Sequence, residues 1–588
     1  MIQFKIKQKA LFITIMTCSI LSLSSCDEKD FLTVNNPNSV TEATFWKTPT
    51  QFNSALTTVY AALQFQSISG SGLPDEEVRA DIADTFTFFR PLIYRQLTYT
   101  DNSPQVVSKW SELYIGIFRA NQVIGQIEKV DTSTFAPNEK ENILAQAKCL
   151  RAFFYFQLIH TYGKAVIRTE VSTTDFNKKL SSIEEVTNTI IIPDLNYARL
   201  NLPPSWTGLN IGRVTSGTAT SLRGKVYLYD KKWDLAAADF KEVIDSNVYT
   251  LTPKILDNFT DQNEFNSESI LEVAYSSTAS PGASGNNVDD TPFASGAEAN
   301  AVGSQYASIG GFGGFNTVIS NYYLHELFLS DEVDTNNAVN APVGGVTNKQ
   351  SKRLTASIAP KDFEGTYFGV TNTNTQVHTY RGLGLTAIVK KYTNWYQGTA
   401  EIALNRSGIN FRHIRLADVY LMYAEAVLNA STLPAGVSDP IAESIKYIDL
   451  VRERAGVKTL KQYLAANSNT FPQLNISKQR YITQPMVAPT KQNLMTHLQM
   501  VERPLELCFE GHRWKDLVRW GIVKDVFTTL GSNLSWRRDN FATIVGKAPL
   551  TIEGSVNLLA LTAVANYQSS FHDYFPIPAT ELQSNKGL

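Results

Sequence analysis

Helical periodicity in three long stretches constrains the fold of this chain most strongly. Residues 143–163 and 411–430 place apolar side chains at steps of three and four, which is typical of helices with one core-facing side. These positions are Leu144, Ala147, Leu150, Phe154 and Leu158 in the first stretch, and Ile414, Ala417, Leu421, Ala424 and Leu428 in the second. We therefore expect a mainly α fold built on packed helices.

The third stretch, residues 218–245, indicates how the helices pair. It is interrupted at "DKKWD", so it predicts two helices joined by a short turn. The first contains Leu222, Gly224 and Tyr227, and the second contains Ala236 and Phe240. This spacing approximates the pattern of tetratricopeptide helix pairs, in which small residues allow close approach and large ones fill the gap. We predict a tetratricopeptide-like scaffold rather than a regular solenoid.

The composition changes between these helices. Residues 276–320 are rich in Gly, Ser, Ala and Asn, and residues 337–410 in Asn, Thr and Tyr, with isolated aromatic residues in both. Such stretches are typical of loops and irregular strands, and long loops on a rigid scaffold often carry binding sites. A disordered insertion is the alternative. We expect one interlocked body with few short strands and further helix pairs over 143–200 and 411–455.

The N-terminus predicts export. Three lysines precede a short apolar run at residues 10–23, whereas a bilayer-spanning helix needs about 20 residues. Residues 1–25 are therefore interpreted as a signal peptide. Leu23, two serines and Cys26 form a lipobox, in which Cys26 would be acylated and would hold the mature chain on a membrane. An ordinary signal peptide with an incidental cysteine is the alternative.

Charge and cysteine content argue against several functions. Removal of residues 1–25 leaves 50 basic against 55 acidic residues, a net charge of −5. We expect no nucleic-acid partner, because such proteins present a basic face. Besides Cys26 the mature chain has Cys149 and Cys508, and the sequence leaves open whether these two pair. It contains no CxxC, HExxH or Cys/His cluster of the kind that predicts a zinc site.

An ordered set of motifs resembles a known family across nearly the whole mature chain. The motifs are the lipobox, "LRAFFYFQLIHTYG", "SLRGKVYLYDKKWDLAAADFKEVI", "FRHIRLADVYLMYAEAVLNA", "LELCFEGHRWKDLVRWG" and the terminal "YFPIPATEL". In this order they are similar to the SusD/RagB-like outer-membrane lipoproteins. We accordingly divide the mature chain into a SusD-like N-terminal part, 26–275, and a SusD/RagB C-terminal part, 276–588, which carries the loop-rich insertion.

The resemblance implies a function as well as a fold. It implies a cell-surface lipoprotein, anchored in outer-membrane lipid through Cys26, whose helices pack against a SusC-like TonB-dependent barrel transporter. The protein would act as a ligand-binding lid over that barrel, usually for oligosaccharides. The resemblance also implies that ligand contacts come from the middle insertion and from the loop before Trp110, Tyr114 and Asn121.

Residues 503–520 concentrate charged side chains and could be mistaken for an active site. On a single helix Arg503, Glu506, Glu510 and Arg513 would share one face, with neighbouring Cβ atoms about 5–6 Å apart. Two carboxylates on successive turns point the same way and cannot flank a glycosidic bond, as glycosidase carboxylates must. Nearby cations, which also include Lys515 and Arg519, should keep the acids ionised. We interpret the segment as an ion-paired structural helix, with a break or close contact at Gly511.

Three groups of loop residues are candidates for ligand binding, because aromatic rings offer large rigid surfaces to sugar faces. The first group is Phe86, Phe88, Phe89, Arg90, Tyr99, Asp101 and Asn102; the second is Tyr306, Phe312, Phe315 and Asn316; the third is Asn394, Trp395, Tyr396 and Gln397. Trp395 is the first choice, followed by Phe312 and Phe88. The alternative for each ring is burial beneath a loop.

Other chemical templates are weak. The chain has no G-x-S-x-G elbow and no Walker P-loop. His413 and His512 fall in predicted helices and are expected to be packed rather than metal-ligating. "DEVDTNN" at 331–337 is oxygen-rich, but lacks the glycine and distant glutamate of a calcium loop. We therefore expect no cofactor, with adventitious calcium at this stretch as the alternative.

Three functional hypotheses follow. The first is a non-catalytic lid that captures oligosaccharide or polysaccharide for import. The second is a peptide-capturing lid, for which backbone pairing and charged-end recognition would matter more than flat rings. The third is a hydrolase, and no carboxylate in the sequence is nominated for that role. The interleaved aromatic and amide residues favour the first.

Overall fold

A computed structural model describes residues 44–85, 91–171, 177–278, 298–308, 314–342, 349–360, 363–372, 379–380, 383–384, 387–397, 407–474, 484–539 and 556–588. The helices in this part are α1 (Pro49–Ala61), α2 (Gln66–Ser69), α3 (Leu73–Glu77), α4 (Leu92–Arg95), α5 (Pro104–Ile127), α6 (Glu139–Tyr162), α7 (Ile183–Val186), α8 (Ile192–Asn201), α9 (Ser216–Tyr229), α10 (Trp233–Asp245), α11 (Val302–Tyr306), α12 (Tyr322–Ser330), α13 (Lys352–Ser357), α14 (Leu416–Asn429), α15 (Pro440–Ala455), α16 (Leu460–Ala466), α17 (Lys491–His497), α18 (Arg503–Leu507), α19 (Arg513–Trp520), α20 (Val523–Asp539), α21 (Val556–Asn566), α22 (Ser569–His572) and α23 (Ala579–Ser584).

The long helices stack in chain order. α5 packs on α6, α6 on α8, α8 on α9, α9 on α10, α10 on α14 and α14 on α15, while α1 lies against both α5 and α6. Gly224 on α9 faces the Phe240 ring on α10, and a Cβ at this glycine would lie 2.8 Å from that ring. The predicted role of a small residue opposite a large one is therefore confirmed, as is the tetratricopeptide-like, mainly α fold.

Two of the helices contain a π turn just before a proline. Thr187–Ile191 links α7 to α8, which has Pro193 in its first turn, and Leu498–Glu502 links α17 to α18, which has Pro504. Proline has no N–H to donate to the preceding turn, and a π turn is a single wide turn inserted into an α-helix. Each wide turn lets the helix continue past its proline.

The strands are short. They are β1 (Ala83–Asp84), β2 (Lys164–Val166), β3 (Leu180–Ser182), β4 (Ser269–Val273), β5 (Ile319–Ser320), β6 (Ile358–Pro360), β7 (Thr379–Tyr380), β8 (Leu383–Gly384), β9 (Ala387–Val389), β10 (Phe411–Arg415), β11 (Phe471–Pro472) and β12 (Met486–Val487). A four-stranded antiparallel sheet has the order β1-β5-β9-β6, and the other strands form the pairs β4–β10, β2–β3, β11–β12 and β7–β8.

The start of the predicted helix 411–430 is wrong. Residues Phe411–Arg415 form β10, which pairs with β4, and the helix begins only at Leu416. Arg412 and Arg415 on this strand contact Glu272 and Glu268, which lie on or beside β4. Strand pairing and these ion pairs outweigh the helical spacing of the apolar residues.

Most of the buried apolar side chains form one core, and a small satellite cluster lies apart from it. The satellite cluster consists of Ala307, Ala359, Phe363, Tyr367, Phe368 and Ile388, with Val370 and Trp395 packed against it. None of the helices in the described part of the chain combines the length and apolarity that a membrane crossing needs. The division at residue 275 stays a prediction.

Candidate ligand-binding site

One end of the four-stranded sheet brings together the strand ends that lead into the three predicted loop groups. β1 and β9 both run antiparallel to β5, with Asp84 and Ile388 each opposite Ile319. The C-terminal ends of β1 and β9 therefore lie at the same end of the sheet as the N-terminal end of β5. The chain enters or leaves the first, second and third groups at this sheet end. Thr85 Oγ1 links the first two groups, because it donates to Thr317 O (2.5 Å).

The described residues of the first group contact other elements than the sheet. Phe86, Phe88, Phe89 and Arg90 lie outside the described residues. Tyr99 is buried and stacks on Tyr94, with ring centroids 5.6 Å apart. Asp101 and Asn102 form the turn before α5, where Asn102 Nδ2 donates to Asp101 Oδ1 (3.1 Å) and Ala579 N donates to Asp101 O (3.3 Å). These two residues thus contact each other and the C-terminal segment.

In the second group, Phe315 is the described side chain that faces solvent. Its side chain is 40% exposed, and its backbone N–H donates to Ser304 O (2.7 Å). Tyr306 and Asn316 are fully buried, so neither offers a surface to a ligand. Phe312 lies outside the described residues. Phe315 is therefore the described candidate platform in this group.

The third group forms a turn on the satellite cluster. Trp395 and Tyr396 are half-buried, while Asn394 is buried. Tyr396 donates its hydroxyl to Asp261 Oδ1 (2.6 Å), and Phe368 N donates to Trp395 O (2.7 Å). The turn is thus held from two sides while part of the Trp395 indole stays accessible.

Lys390 was not among the predicted site residues, although the structure places it directly beneath Trp395. Its ammonium lies 3.3 Å from the centroid of the indole ring. Burial lowers the pKa of Lys390 to about 7. A signal was present in the sequence, because Lys390 and Lys391 directly follow the apolar strand β9.

Residues 503–520 do not form the single helix that was predicted. α18 ends at Leu507 and α19 begins at Arg513, and between them Phe509 and Gly511 adopt positive φ angles of 63° and 81°. Arg503 and Glu506 share α18, but Glu510 lies between the helices and Arg513 lies on α19, so the four residues do not share one helix face. The predicted break at Gly511 is confirmed, but it interrupts the helix over several residues.

The acids of this segment pair mostly with distant cations. Arg415 contacts Glu268 (2.8 Å), Glu506 (2.7 Å) and Glu510 (2.8 Å), and Lys391 also contacts Glu510 (2.7 Å). The cations of the segment itself turn to other acids: Arg503 to Asp418 and Asp516, Arg513 to Asp81, Lys515 to Glu76, and Arg519 to Glu425 and Asp516. The ion-paired structural role is correct, whereas most of the expected partners are wrong.

Buried acids next to α19 differ in their protonation. Burial by itself would raise the pKa of Glu510, but Arg415 and Lys391 outweigh it and lower the pKa to about 2. Burial raises the pKa of Glu77 to about 7, although Gly511 N donates to its carboxyl. Both side chains are almost completely buried, so a substrate could not reach them.

The remaining predicted groups have structural contacts. His413 lies on β10 and His512 in the turn before α19, so the prediction that they lie in helices is wrong. His413 Nε2 lies 2.7 Å from Ser69 Oγ. Within the described ranges no three His, Cys, Asp or Glu side chains are placed to hold a metal ion. In the predicted calcium stretch, Asp331 pairs with Arg353 and Arg452. Cys149 and Cys508 are free and buried, which answers the question that the sequence left open.

The three α5 residues that follow the loop implied by the resemblance line a separate cavity. Trp110, Tyr114 and Asn121 border a space of about 400 Å³, together with Phe118, Arg168 and Glu581. Trp110 Nε1 donates to Glu581 Oε2 (3.2 Å), and Asn121 Nδ2 donates to Arg168 O (2.9 Å). These contacts hold the segment after β2 and the C-terminal helix α23 against α5.

Comparison with known proteins extends over almost the whole chain. A family model described as the SusD family matches residues 247–588, and a model described as starch-binding and associating with the outer membrane matches residues 30–228. SusD-like protein P25 from Formosa agariphila is 24% identical over 558 residues, which cover 91% of this chain and 94% of that protein.

Solved structures share the fold. A SusD superfamily protein from Bacteroides vulgatus has a TM-score of 0.68 at 24% identity, covering 92% of this chain and 98% of that one. A laminarin-binding SusD-like protein has a TM-score of 0.62 at 23% identity, with the same coverage. Surface glycan-binding protein A from Bacteroides thetaiotaomicron, solved with laminarihexaose, has a TM-score of 0.61 at 18% identity, again with that coverage. With one family model matching more than half of its length, this chain belongs to the SusD family.

Proposed function

We propose that this protein is a glycan-binding lipoprotein of the outer membrane that captures oligosaccharide or polysaccharide and delivers it to a partner TonB-dependent transporter. The observation that carries the proposal is the sheet end from which the chain enters the three aromatic loop groups. Phe315 and Trp395 provide exposed or half-exposed rings there. Tyr396, Gln397 and Asp261 place hydrogen-bonding groups beside them.

The relatives support a sugar as the ligand. One structural neighbour is a laminarin-binding protein and another was solved with laminarihexaose, a chain of glucose units. Flat rings beside amide and carboxylate groups match the apolar faces and hydroxyl rims of sugars. A lid of this kind could work with weak affinity, since a Kd of about 1 mM corresponds to only about −4 kcal/mol.

The chemistry of the two acids most suggestive of a glycosidase supports a non-catalytic role. Glu506 and Glu510, the carboxylates most suggestive of a glycosidase, are buried and paired with Arg415. A general acid needs a raised pKa, whereas the pKa of Glu510 is lowered. Purified protein should therefore release no reducing sugar from a polysaccharide that it binds. Release that disappears when one carboxylate is substituted would support a hydrolase instead.

The proposed location depends on Cys26 and its lipobox. Acylation of Cys26 would anchor the chain in outer-membrane lipid, facing the cell exterior. Full-length protein expressed in a Gram-negative host should fractionate with the outer membrane, and Cys26→Ala should move it to the soluble fraction. An unchanged distribution of the variant would remove Cys26 as the anchor.

Substitution of the two rings tests the ligand site. Trp395→Ala and Phe315→Ala should each weaken retardation in laminarin affinity gels, by about two- to tenfold in affinity for one aromatic contact. Phe571→Ala is the matched control, since this ring is 67% exposed on α22. Unchanged retardation of both site variants on a polysaccharide that the native protein binds would discard this sheet end as the site. Binding to a peptide library with no binding on a glycan array would favour the peptide-capturing lid.

A further inference from the structure

Lys390 differs from the other buried lysines. Four lysines are almost completely buried among the described residues: Lys109, Lys225, Lys390 and Lys391. Lys109 pairs with Glu76, Lys225 with Asp418 (3.1 Å) and Lys391 with Glu510 (2.7 Å). Lys390 has no carboxylate partner in the described part of the chain. Because buried charges are normally paired, an unpaired ammonium marks a place where a counter-charge is missing.

The backbone holds Lys390 firmly at the sheet end. Its N–H donates to Ser357 O (2.8 Å), and its carbonyl accepts from Thr393 N (3.1 Å) and Thr393 Oγ1 (2.7 Å). The side chain is 1% exposed and ends against the face of the Trp395 indole. The ammonium therefore sits directly behind the ring that is the first candidate for ligand contact.

A second donor at the same point also lacks an acceptor. Trp395 Nε1 is buried and has no hydrogen-bond partner within the described residues. An indole N–H can only donate, and an ammonium can only donate. Two donors without an acceptor therefore lie together, and both make the electrostatic potential at this point of the surface favourable to an anionic group.

We propose that the ligand of this site is an acidic oligosaccharide, and that the buried ammonium of Lys390 attracts its carboxylate or sulfate substituent across the Trp395 indole. This inference rests on the proposed glycan-binding function and narrows it to a substrate class. The indole would present its exposed part to the sugar ring while the charge behind it attracts the anion. The attraction between two unit charges a few ångströms apart, at an effective dielectric constant near 20, should raise the affinity for the anionic glycan roughly tenfold or more.

The proposal predicts a pH dependence with a defined sign. Burial is the cause that lowers the pKa of Lys390 to about 7, and no charged side chain of the described ranges contributes to that shift. Its neighbour Lys391 is directed to Glu510 and Glu506 on the opposite side. Lys390 is cationic below pH 7, so affinity for an acidic glycan should be highest there and should fall as the pH rises above 7. Affinity for a neutral glycan should not follow this profile.

Affinity gels and calorimetry with three probes test the inference: laminarin as a neutral glucan, alginate as a uronate polymer and carrageenan as a sulfated one. The native protein should bind alginate or carrageenan at least about tenfold more tightly at pH 6 than at pH 9. Lys390→Met should lose that preference and its pH profile. Because methionine has a similar volume and no charge to bury, the variant should remain folded with an unchanged or higher Tm.

Lys524→Met, at an exposed position on α20, is the matched control and should behave like the native protein. Binding of laminarin but of neither acidic polymer would overturn the acidic ligand and leave the proposed glycan-binding function intact. An unchanged pH profile for Lys390→Met on an acidic polymer would overturn the role of Lys390. Failure to bind any of the three polysaccharides, with binding of peptides, would overturn the proposed function itself.

Discussion

Lys390 and Lys391 are adjacent in sequence but belong to two regions with opposite chemistry. Lys391 enters the buried charge network, in which Arg415 joins Glu268, Glu506 and Glu510. Lys390 enters the sheet end, where it meets an indole and no carboxylate of the described chain. The network pairs each of these charges with an opposite one inside the frame. The sheet end leaves polar groups unsatisfied, as expected of a surface that binds something from outside.

The largest effect should come from removing the cation at the centre of the network. Arg415→Ala would leave three buried carboxylates short of a partner, and breaking a buried pair costs about 3–5 kcal/mol. Urea unfolding should show this loss. Arg199→Ala removes an exposed pair with Glu242 and should cost no more than about 1 kcal/mol. Equal losses in the two variants would break the distinction between a buried network and surface charges.

A smaller effect should separate two neighbouring acids by pH. The pKa of Glu77 is about 7 in the folded protein, whereas its ordinary value is 4.5. Its protonated carboxyl therefore contributes fully to the stability of the fold below pH 4.5, and this contribution is lost as the pH rises to 7. The free energy of unfolding of Glu77→Gln should equal that of the native protein at pH 4 and exceed it by about 3 kcal/mol at pH 8. This figure follows from the raised pKa, since one pKa unit corresponds to about 1.4 kcal/mol.

Glu76 is the matched control for this experiment. Burial would raise its pKa, but Lys109 and Lys515 lower it to about 2, so its contribution is present above pH 4.5 and is lost as the pH falls towards 2. Glu76→Gln should therefore reduce stability at pH 8. Urea unfolding midpoints at pH 4 and pH 8 should show that the two substitutions change stability in opposite directions at pH 8. A change in the same direction in both variants would contradict the described pairing.

The smallest effect on stability should occur at the sheet end. Tyr396→Phe removes the hydroxyl, which donates to Asp261 Oδ1 and accepts from Asp261 N, and should cost about 1 kcal/mol. Because these bonds fix the turn that carries Trp395, retardation in affinity gels should weaken although the fold persists. A stability loss as large as that of Arg415→Ala would place Tyr396 in the frame instead of the ligand site.

Local patterns made the frame predictable. Helices α9 and α10 were expected on either side of "DKKWD", because apolar spacing and the Gly224–Phe240 pair are encoded within one short stretch. The network partners were not predictable, because Arg415 lies far along the chain from Glu506. β10 was missed because Phe411 and Ile414 satisfy the helical period as well as a strand contact.

The candidate site was predictable only in part. Loop composition singled out Trp395 and Phe315, but the convergence of their loops depends on β1 and β5, strands of two residues each, which have no recognisable sequence signature. Lys390 was missed because burial and the absence of a carboxylate are properties of the assembled fold. A sequence shows that a lysine is present but not whether it is paired.

The pairing of β4 with β10 has a consequence for how the family could diversify. Val273 lies opposite Phe411, so the excursion over residues 274–410 departs from the frame and returns to it at adjacent strands. A different segment could therefore replace residues 274–410 without a change in the helical stack. The new segment would have to keep an acceptor for Arg452, now Asp331, and a donor for Glu502, now Arg353. Specificity could then change in a single recombination event while the architecture around it is inherited intact.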